Sequence, residues 1–398
     1  MTTADGRNQP TTGQLALDGG PPVRATPPRT TAPPTDADLD AAARVLRTTR
    51  LGGPDHPEVR RFEALLAQTT GVAHAVAVNS GTAALHCALR GLGIGPGDEV
   101  IVPAHTFIAS ATPVLMSGAT PVVVDVDAAT YCLEPTAVDE AITRRTRAVV
   151  AVHLNGHPAP VDLLPTDLPV LSDACQAQGA TLHGTSVAAL GAAGVYSFWQ
   201  DKLLTTGGEG GAVLTDDPGI AEIARLVRSH GQQPIPGTPD SHHTVLGYNY
   251  RLTGPQAAFG HSQLTRFANT VRARQDNAAR LLDLLQDIPG ITPPYTRDGA
   301  THVYWKFVIA IDPDQFRVDL RHVLRALAAE GVPAAPRYPI PLHRQPVLTR
   351  HGRTTPCPTA DALSQRLLTL PLPAMAEDAD DVVDIAEAVR KVATALRR

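Results

Sequence analysis

Between residues 74 and 215 the chain alternates short apolar runs with stretches of helical periodicity, and no other feature constrains its fold as strongly. The runs fall at 75–78, 99–103, 121–125, 148–153, 169–173, 194–198 and 212–215, with helical segments predicted over 82–92, 107–117 and 135–144. Such alternation predicts an α/β fold with a doubly wound, mostly parallel sheet, placed here in a large domain spanning 35–288. Ahead of the sheet, Thr35 is placed to cap a helix carrying Leu39, Ala43 and Leu46, and a second helix starts near Pro57 with Val59, Phe62, Leu65 and Leu66. After it come a helix over 220–233, a loop over 234–244 and a long helical region over 255–287.

A break at Pro289-Gly290 opens a smaller C-terminal α/β domain, 289–398, with a strand over 303–311, a helix over 318–330 closed by Gly331, and a terminal helix over 378–396. A length of 398 residues suits one large and one smaller domain. Residues 1–34 read as a flexible polar tail to about Thr12, then a proline-rich extended arm lying on the body.

A net charge of −5 and the absence of any lysine/arginine run give no support for a nucleic-acid partner. The four cysteines, Cys87, Cys132, Cys175 and Cys357, show no metal-ligand spacing and read as reduced thiols; no metal site is expected. With no apolar stretch of membrane-spanning length and no leader pattern, membrane insertion has no support, and the cytoplasm is the expected location.

The chemistry converges on residues 196–211, where Lys202 stands between a strand end and Gly207-Gly208-Glu209-Gly210-Gly211. The chain has three lysines, Lys202, Lys306 and Lys391, against 31 arginines, so a lysine kept at this point reads as more than solvated charge. A primary amine condenses with an aldehyde and afterwards carries a proton; a guanidinium does neither. Lys202 is therefore read as a Schiff-base lysine, and the cofactor it implies is pyridoxal phosphate. The glycines are read as letting the backbone approach a bulky ring.

Such a cofactor needs a carboxylate for its ring nitrogen, a phosphate cradle and a stacking side chain. Asp173 ends a buried run at the edge where open α/β sheets bind ligands; taken alone it reads sooner as a helix cap. Gln176, three residues on, points to the same side, toward the phenolic oxygen. In Asn79-Ser80-Gly81-Thr82 a strand gives way to a helix, so Gly81 and Thr82 offer free N–H groups and a hydroxyl to a phosphate. Ser197 supplies another hydroxyl, and Phe107 is the candidate for stacking.

The order Ser-Gly-Thr-Ala-Ala-Leu, Pro-x-x-Thr-Phe, Asp-x-x-Gln-Ala, Ser-Phe-x-x-x-Lys, Gly-Glu-Gly-Gly and Asn-x-Arg resembles the DegT/DnrJ/EryC1/StrS aminotransferases over about residues 15–395. The resemblance implies fold type I (aspartate aminotransferase-like) architecture, pyridoxal 5′-phosphate, and a homodimer with active sites at the subunit interface. It assigns Lys202, Asp173, Gln176, Gly81, Thr82, Ser197 and Phe107 the roles just given. To these it adds Asn249, reaching the phosphate of the neighbouring subunit's cofactor, and Arg251 and His343 as candidates for gripping substrate. Residues 15–24 are similar to the starts of the branch acting on keto-cyclitols and making aminohydroxybenzoate. Departures are His105, where many members carry an apolar or aromatic residue, and one extra glycine after Lys202.

The implied reaction is ping-pong transfer of an amino group from L-glutamate or L-glutamine to a polyhydroxylated ketone, either a keto-sugar nucleotide or a keto-cyclitol. Two enzymatic alternatives stand beside it. Keto-sugar dehydratases of this family replace the lysine with histidine, which Lys202 argues against, and an aminohydroxybenzoate synthase retains it. A pyridoxal-phosphate-binding regulator is the non-enzymatic alternative, and the acidic charge balance without a basic recognition helix weighs against it.

Overall fold

The computed structural model describes residues 13–165, 167–375 and 378–398; the tail expected over residues 1–12 lies outside them. The main sheet is built from β1 (His74–Val78), β2 (Glu99–Pro103), β3 (Thr120–Val124), β4 (Thr146–Val152), β5 (Val170–Asp173), β6 (Ala193–Ser197) and β7 (Gly211–Thr215). Every residue of β2, β5, β6 and β7 is buried, which is why these strands read as continuous apolar runs. Strands β2 to β6 run parallel, and β7 lies antiparallel between β1 and β6. The reversal follows from the link: residues 198–210 hold no helix to carry the chain back across the sheet, so β7 returns beside β6. That same link carries Lys202.

The helices are α1 (Asp36–Leu46), α2 (Pro57–Thr70), α3 (Gly81–Gly91), α4 (Thr112–Met116), α5 (Pro135–Ala141), α6 (Pro218–Arg228), α7 (Gly254–Leu264) and α8 (Phe267–Leu285). Thr35 caps α1 in a reciprocal capping box with Asp38. The helix expected over 107–117 is a 3-10 turn at Ile108–Ser110 followed by α4, since Pro113 at the head of α4 cannot donate back into a preceding turn. The region expected as one helix over 255–287 divides into α7 and α8 at Thr265 and Arg266. The expected loop over 234–244 is part of a short hairpin, β8 (Gln232–Pro234) paired with β9 (Ser241–His243).

Beyond α8, a small antiparallel sheet joins β10 (Ile291–Thr292), β11 (Phe307–Ile311), β12 (Ala335–Pro336) and a later strand, Leu367–Leu370, and is covered by α9 (Leu320–Ala329) and the terminal helix Ala379–Leu396. Its core, with Phe307, Ile309, Leu327, Leu368, Ile385 and Val389, is separate from that of the main sheet and takes in Leu281 and Leu285 of α8. Between α9 and the terminal helix the chain makes an excursion: β13 (Arg353–Thr354) adds a parallel edge to β3, and Leu342, Leu348, Ala360 and Leu363 pack into the main core. The arm rests on the small sheet, with Leu15 in its core and the backbone N–H groups of Ala16 and Val23 donating to the buried Glu330 carboxylate, which Lys391 neutralises at 2.8 Å.

Candidate functional site

Because β1, β2, β5 and β6 run the same way, their carboxyl ends meet at one edge of the sheet, beside the start of β7. A cavity of about 740 Å³ opens there, and Gly81, Thr82, Phe107, Asp173, Gln176, Ser197 and Lys202 all line it. The topology thus brings together seven residues spread over more than a hundred positions of sequence.

One wall is the head of α3. Ser80 caps the helix by accepting from Ala83 N at 3.1 Å, which leaves the N–H groups of Gly81 and Thr82 without helical partners at the positive end of the helix dipole. Gly81 is needed for space: a Cβ there would lie 2.7 Å from Ser197 Cβ and 3.0 Å from Cys175 Sγ. The Ser197 hydroxyl is thereby brought against the helix start. On the floor, the buried Asp173 carboxylate accepts from Ser110 Oγ at 2.8 Å on one oxygen and from Cys175 N at 3.2 Å on the other. Phe107, at the turn after β2, is 57% exposed and lines the cavity.

Lys202 projects from the β6–β7 link with its Nζ 3.5 Å from the centre of the Trp305 ring. Burial lowers its pKa to about 8, and the cations of Arg337 and Lys306 add to that shift, so a useful fraction of the amine is neutral near physiological pH. The glycines after it serve the backbone instead of a ring: Gly207 takes a left-handed φ of 80°, and a Cβ on Gly211 would lie 2.4 Å from the Ser80 carbonyl oxygen.

The far wall comes from the small sheet and was not anticipated. Trp305, Lys306, Arg337 and Tyr338 all face the cavity. The strand expected over 303–311 begins only at Phe307, because Tyr304 adopts a left-handed φ of 48° and the chain before β11 is turned toward the site. Gln176 ties the two walls: Nε2 donates to Tyr338 OH at 3.0 Å, while Oε1 accepts from Asn155 N at 3.1 Å and Arg337 Nη2 at 2.8 Å. His105 lies behind Tyr338, fully buried, with neither ring nitrogen hydrogen-bonded; burial, with Arg337 nearby, lowers its pKa to about 3 and keeps it neutral. The signal for the lysine was present in the sequence, since two of only three lysines line this one cavity. Arg337, among 31 arginines, carried none.

Three expected residues are not on the cavity wall. Asn249 is exposed, its carbonyl accepting from Asn79 Nδ2 at 3.3 Å just outside the head of α3, and Arg251 pairs through its backbone with Val78. His343 lies in the excursion that packs on the main sheet, bonded to Asp361 Oδ1 at 3.0 Å, where it acts as a tether.

The donor set fits pyridoxal phosphate. The head of α3 and the Ser197 hydroxyl would receive the phosphate, Asp173 would face a protonated ring nitrogen, and Lys202 is a primary amine within the same cavity. The α/β fold and this cavity define a pyridoxal-phosphate-dependent enzyme of fold type I. Residues 35–390 match the DegT/DnrJ/EryC1/StrS aminotransferase family, and the chain belongs to it. It is similar to dTDP-3-amino-3,4,6-trideoxy-alpha-D-glucose transaminase of Streptomyces venezuelae, at 40% identity over 84% of this chain and 87% of the relative. It is 36% identical to L-glutamine:2-deoxy-scyllo-inosose aminotransferase of Streptomyces kanamyceticus, over 95% of this chain and 96% of that one. Among solved structures, DesV of S. venezuelae superposes with a TM-score of 0.81 at 37% identity, over 89% of this chain and 94% of that chain. The enzyme is a transaminase. No helix among the described residues is long and apolar enough to cross a membrane.

Proposed function

We propose that the enzyme transfers an amino group from L-glutamine or L-glutamate to a free keto-cyclitol, in the cytoplasm, as a step in making a specialised metabolite. The observation that carries the acceptor class is how the arginines beside the site are used. A second chamber of about 510 Å³ adjoins the cavity across Lys202 and Trp305, and its wall includes Thr30, Thr31, Thr205, Asn269 and Thr270. Its two arginines are already engaged: Arg266 with the buried Asp38 carboxylate, Arg274 with the carbonyls of Thr30, Tyr304, Trp305 and Leu372. Hydroxyls and amides suit a polyhydroxylated ketone, whereas a nucleotide diphosphate calls for a cluster of free cations within the chamber itself. The chamber's Lys306, without a hydrogen-bond or ion-pair partner among the described residues, is shared with the first cavity. The arm contributes to this chamber, and the 95% match to the S. kanamyceticus cyclitol enzyme is too long to exclude the arm.

Bound pyridoxal phosphate supplies an electron sink for the substrate's Cα. This chain's residues do the rest. Gly81, Thr82 and Ser197 would hold the phosphate; Phe107 would cover the ring; Asp173, its carboxylate fixed by two donors, would keep the ring nitrogen protonated; Gln176 would orient the phenolic oxygen. Lys202 would take up and return the substrate's Cα proton at its Nζ, for which an amine with a pKa of about 8 is well matched to neutral pH. Asn249, exposed just outside the head of α3, reaches the phosphate site of a second copy of the chain, so the working unit is a homodimer.

The test follows each half-reaction by absorption. Adding L-glutamine or L-glutamate bleaches the visible band of the purified enzyme, and a free keto-cyclitol then restores it faster than a dTDP-linked keto-sugar does. Restoration by the nucleotide sugar alone would reverse the acceptor assignment. Cofactor affinity that stays unchanged on dilution to monomer would remove the role given to Asn249.

A further inference from the structure

Two cations in the cavity, Lys306 and Arg337, are not among the residues assigned to the cofactor. Lys391 is spent on Glu330 and Lys202 is the reacting amine, which leaves Lys306 as the third lysine of the chain. Its Nζ makes no hydrogen bond or ion pair among the described residues and stands 5.0 Å from the Trp305 ring centre. Arg337 stands 5.3 Å from the same ring. It donates through Nε to Asn155 Oδ1 at 2.7 Å and through Nη2 to Gln176 Oε1, both neutral acceptors, and its Nη1 is without a partner among the described residues.

Three other enclosed cations have partners. Arg228 has Glu63, Lys391 has Glu330, and Arg274 has its four carbonyls. The cavity's own carboxylates do not serve here. Asp173 is held by Ser110 and Cys175, Glu209 is exposed at the rim, and Asp201 lies near Lys306 without pairing with it. Lys306 and Arg337 thus stand together, partly desolvated and mutually repelling, a cost that a bound anion removes.

We propose that Lys306 and Arg337 form the subsite that grips a carboxylate of the amino donor, across the Trp305 ring from Lys202. The inference rests on the transaminase reading and explains how one cavity serves two unlike substrates. The donor brings a carboxylate to these cations, and the uncharged cyclitol ketone brings none and uses the hydroxyl- and amide-lined chamber instead.

Both tryptophans of the chain, Trp199 and Trp305, line the cavity, so intrinsic fluorescence of the cofactor-loaded enzyme reports occupancy without turnover. Titration with glutarate, which has the carboxylates but no amine to react, is expected to saturate, and glutaramide is not. Lys306→Met and Arg337→Met are each expected to weaken glutarate at least tenfold and to raise the donor's KM more than they lower kcat. Lys306→Arg keeps the charge and recovers most of the binding. The donor half-reaction loses far more than the acceptor half-reaction does. Equal glutarate affinity in wild type and both variants would overturn the proposal, as would tighter protection by thymidine diphosphate than by glutarate, which would assign the cations to a nucleotide. A variant that does not fold is replaced by Lys306→Gln, read by the same titration. If wild type fails to bleach with either donor, the transaminase reading falls; if wild type and variants bleach alike, only this subsite does.

Discussion

Ser110 Oγ donates a 2.8 Å hydrogen bond to Asp173 Oδ2, inside a cluster in which Thr106 Oγ1 lies 3.2 Å from Ser110 Oγ. The carboxylate proposed to face the ring nitrogen is thus fixed from behind by the turn that follows β2, whose first residue after the strand is Ala104. Ser110→Ala takes away one of the two donors on a buried charge, a loss of about 1.5–3 kcal/mol for a hydrogen bond to an ionised group. The expected outcome is an enzyme that still takes up cofactor and shows its visible band, with kcat down roughly tenfold or more and a lowered melting temperature. Unchanged kcat in the face of reduced stability would make Ser110 a structural residue only.

The amine of Lys202 gives two pH dependences. Capture of pyridoxal phosphate by cofactor-free enzyme requires the neutral amine, so its rate is expected to rise with pH and level off above about 8, the lowered pKa of this lysine. Stability moves the same way. The folded state disfavours the charged amine and the unfolded state does not, so between about 8 and 10.5 the unfolded chain holds the extra proton and stability rises with pH. Below pH 8 the charged amine costs up to about 3 kcal/mol. Lys202→Met removes that cost, so the cofactor-free variant melts higher than cofactor-free wild type at pH 7, and the gap closes toward pH 10. A gap that widened with pH would reverse the sign of the burial effect.

How much of this was legible in the sequence divides along the two walls of the cavity. Asp173 and Ser197 end strands, and Gly81 and Phe107 follow strands, whose apolar runs are unmistakable, so the end of each run points directly at the site edge. Thr35 was readable as a cap because its partner Asp38 is three residues away. Trp305 and Lys306 precede β11 in a segment whose apolar character extends the strand pattern backward, and only the left-handed turn at Tyr304 shows that these residues leave the strand. Arg337 and Tyr338 reach the cavity through pairing within the small sheet, a contact between distant segments that no local periodicity encodes. His343 is placed by a contact of the same kind. Its partner Asp361 lies in α10 (Pro358–Ser364), at the far end of the excursion that begins at residue 342, and that excursion is visible only once β13 is seen beside β3.

Gly81→Ala tests the cradle by filling it. Alanine suits the first residue of a helix, so any loss comes from the added methyl group, 2.7 Å from Ser197 Cβ and 3.0 Å from Cys175 Sγ. Overpacking of this kind costs about 1–3 kcal/mol, and the shift that relieves it moves the Ser197 hydroxyl away from the head of α3. Pyridoxal phosphate affinity, followed by absorption on titration, is expected to fall at least tenfold. Pyridoxal without the phosphate should bind wild type and variant alike. Equal losses for both would mean that the methyl group disturbs the ring site and not the phosphate site.

Arg274 joins the parts that assemble the far wall. From α8 it donates to the carbonyls of Tyr304 and Trp305, which set the turn presenting Trp305 to Lys202, and to those of Thr30 in the arm and Leu372 after the last strand of the small sheet. It is 4% exposed, has no carboxylate partner among the described residues, and burial lowers its pKa to about 10. Arg274→Met is close in size but leaves four carbonyls short of a donor, at about 1–3 kcal/mol for each one that stays dry. Because water entering beside the arm resatisfies some of them, a net loss of about 2–4 kcal/mol is expected, read from denaturant midpoints. Arg274→Lys does not rescue it, since an ammonium carries three donors in place of a planar fork of five. The loss should spread to function through Trp305, whose indole Nε1 donates to the Asp201 carbonyl at 2.7 Å, one residue before Lys202. The variant is therefore expected to take up cofactor more slowly, with the tryptophan emission shifted toward that of exposed indole. Full stability and an unshifted emission in Arg274→Met would show that the turn at Tyr304 holds Trp305 in place without it.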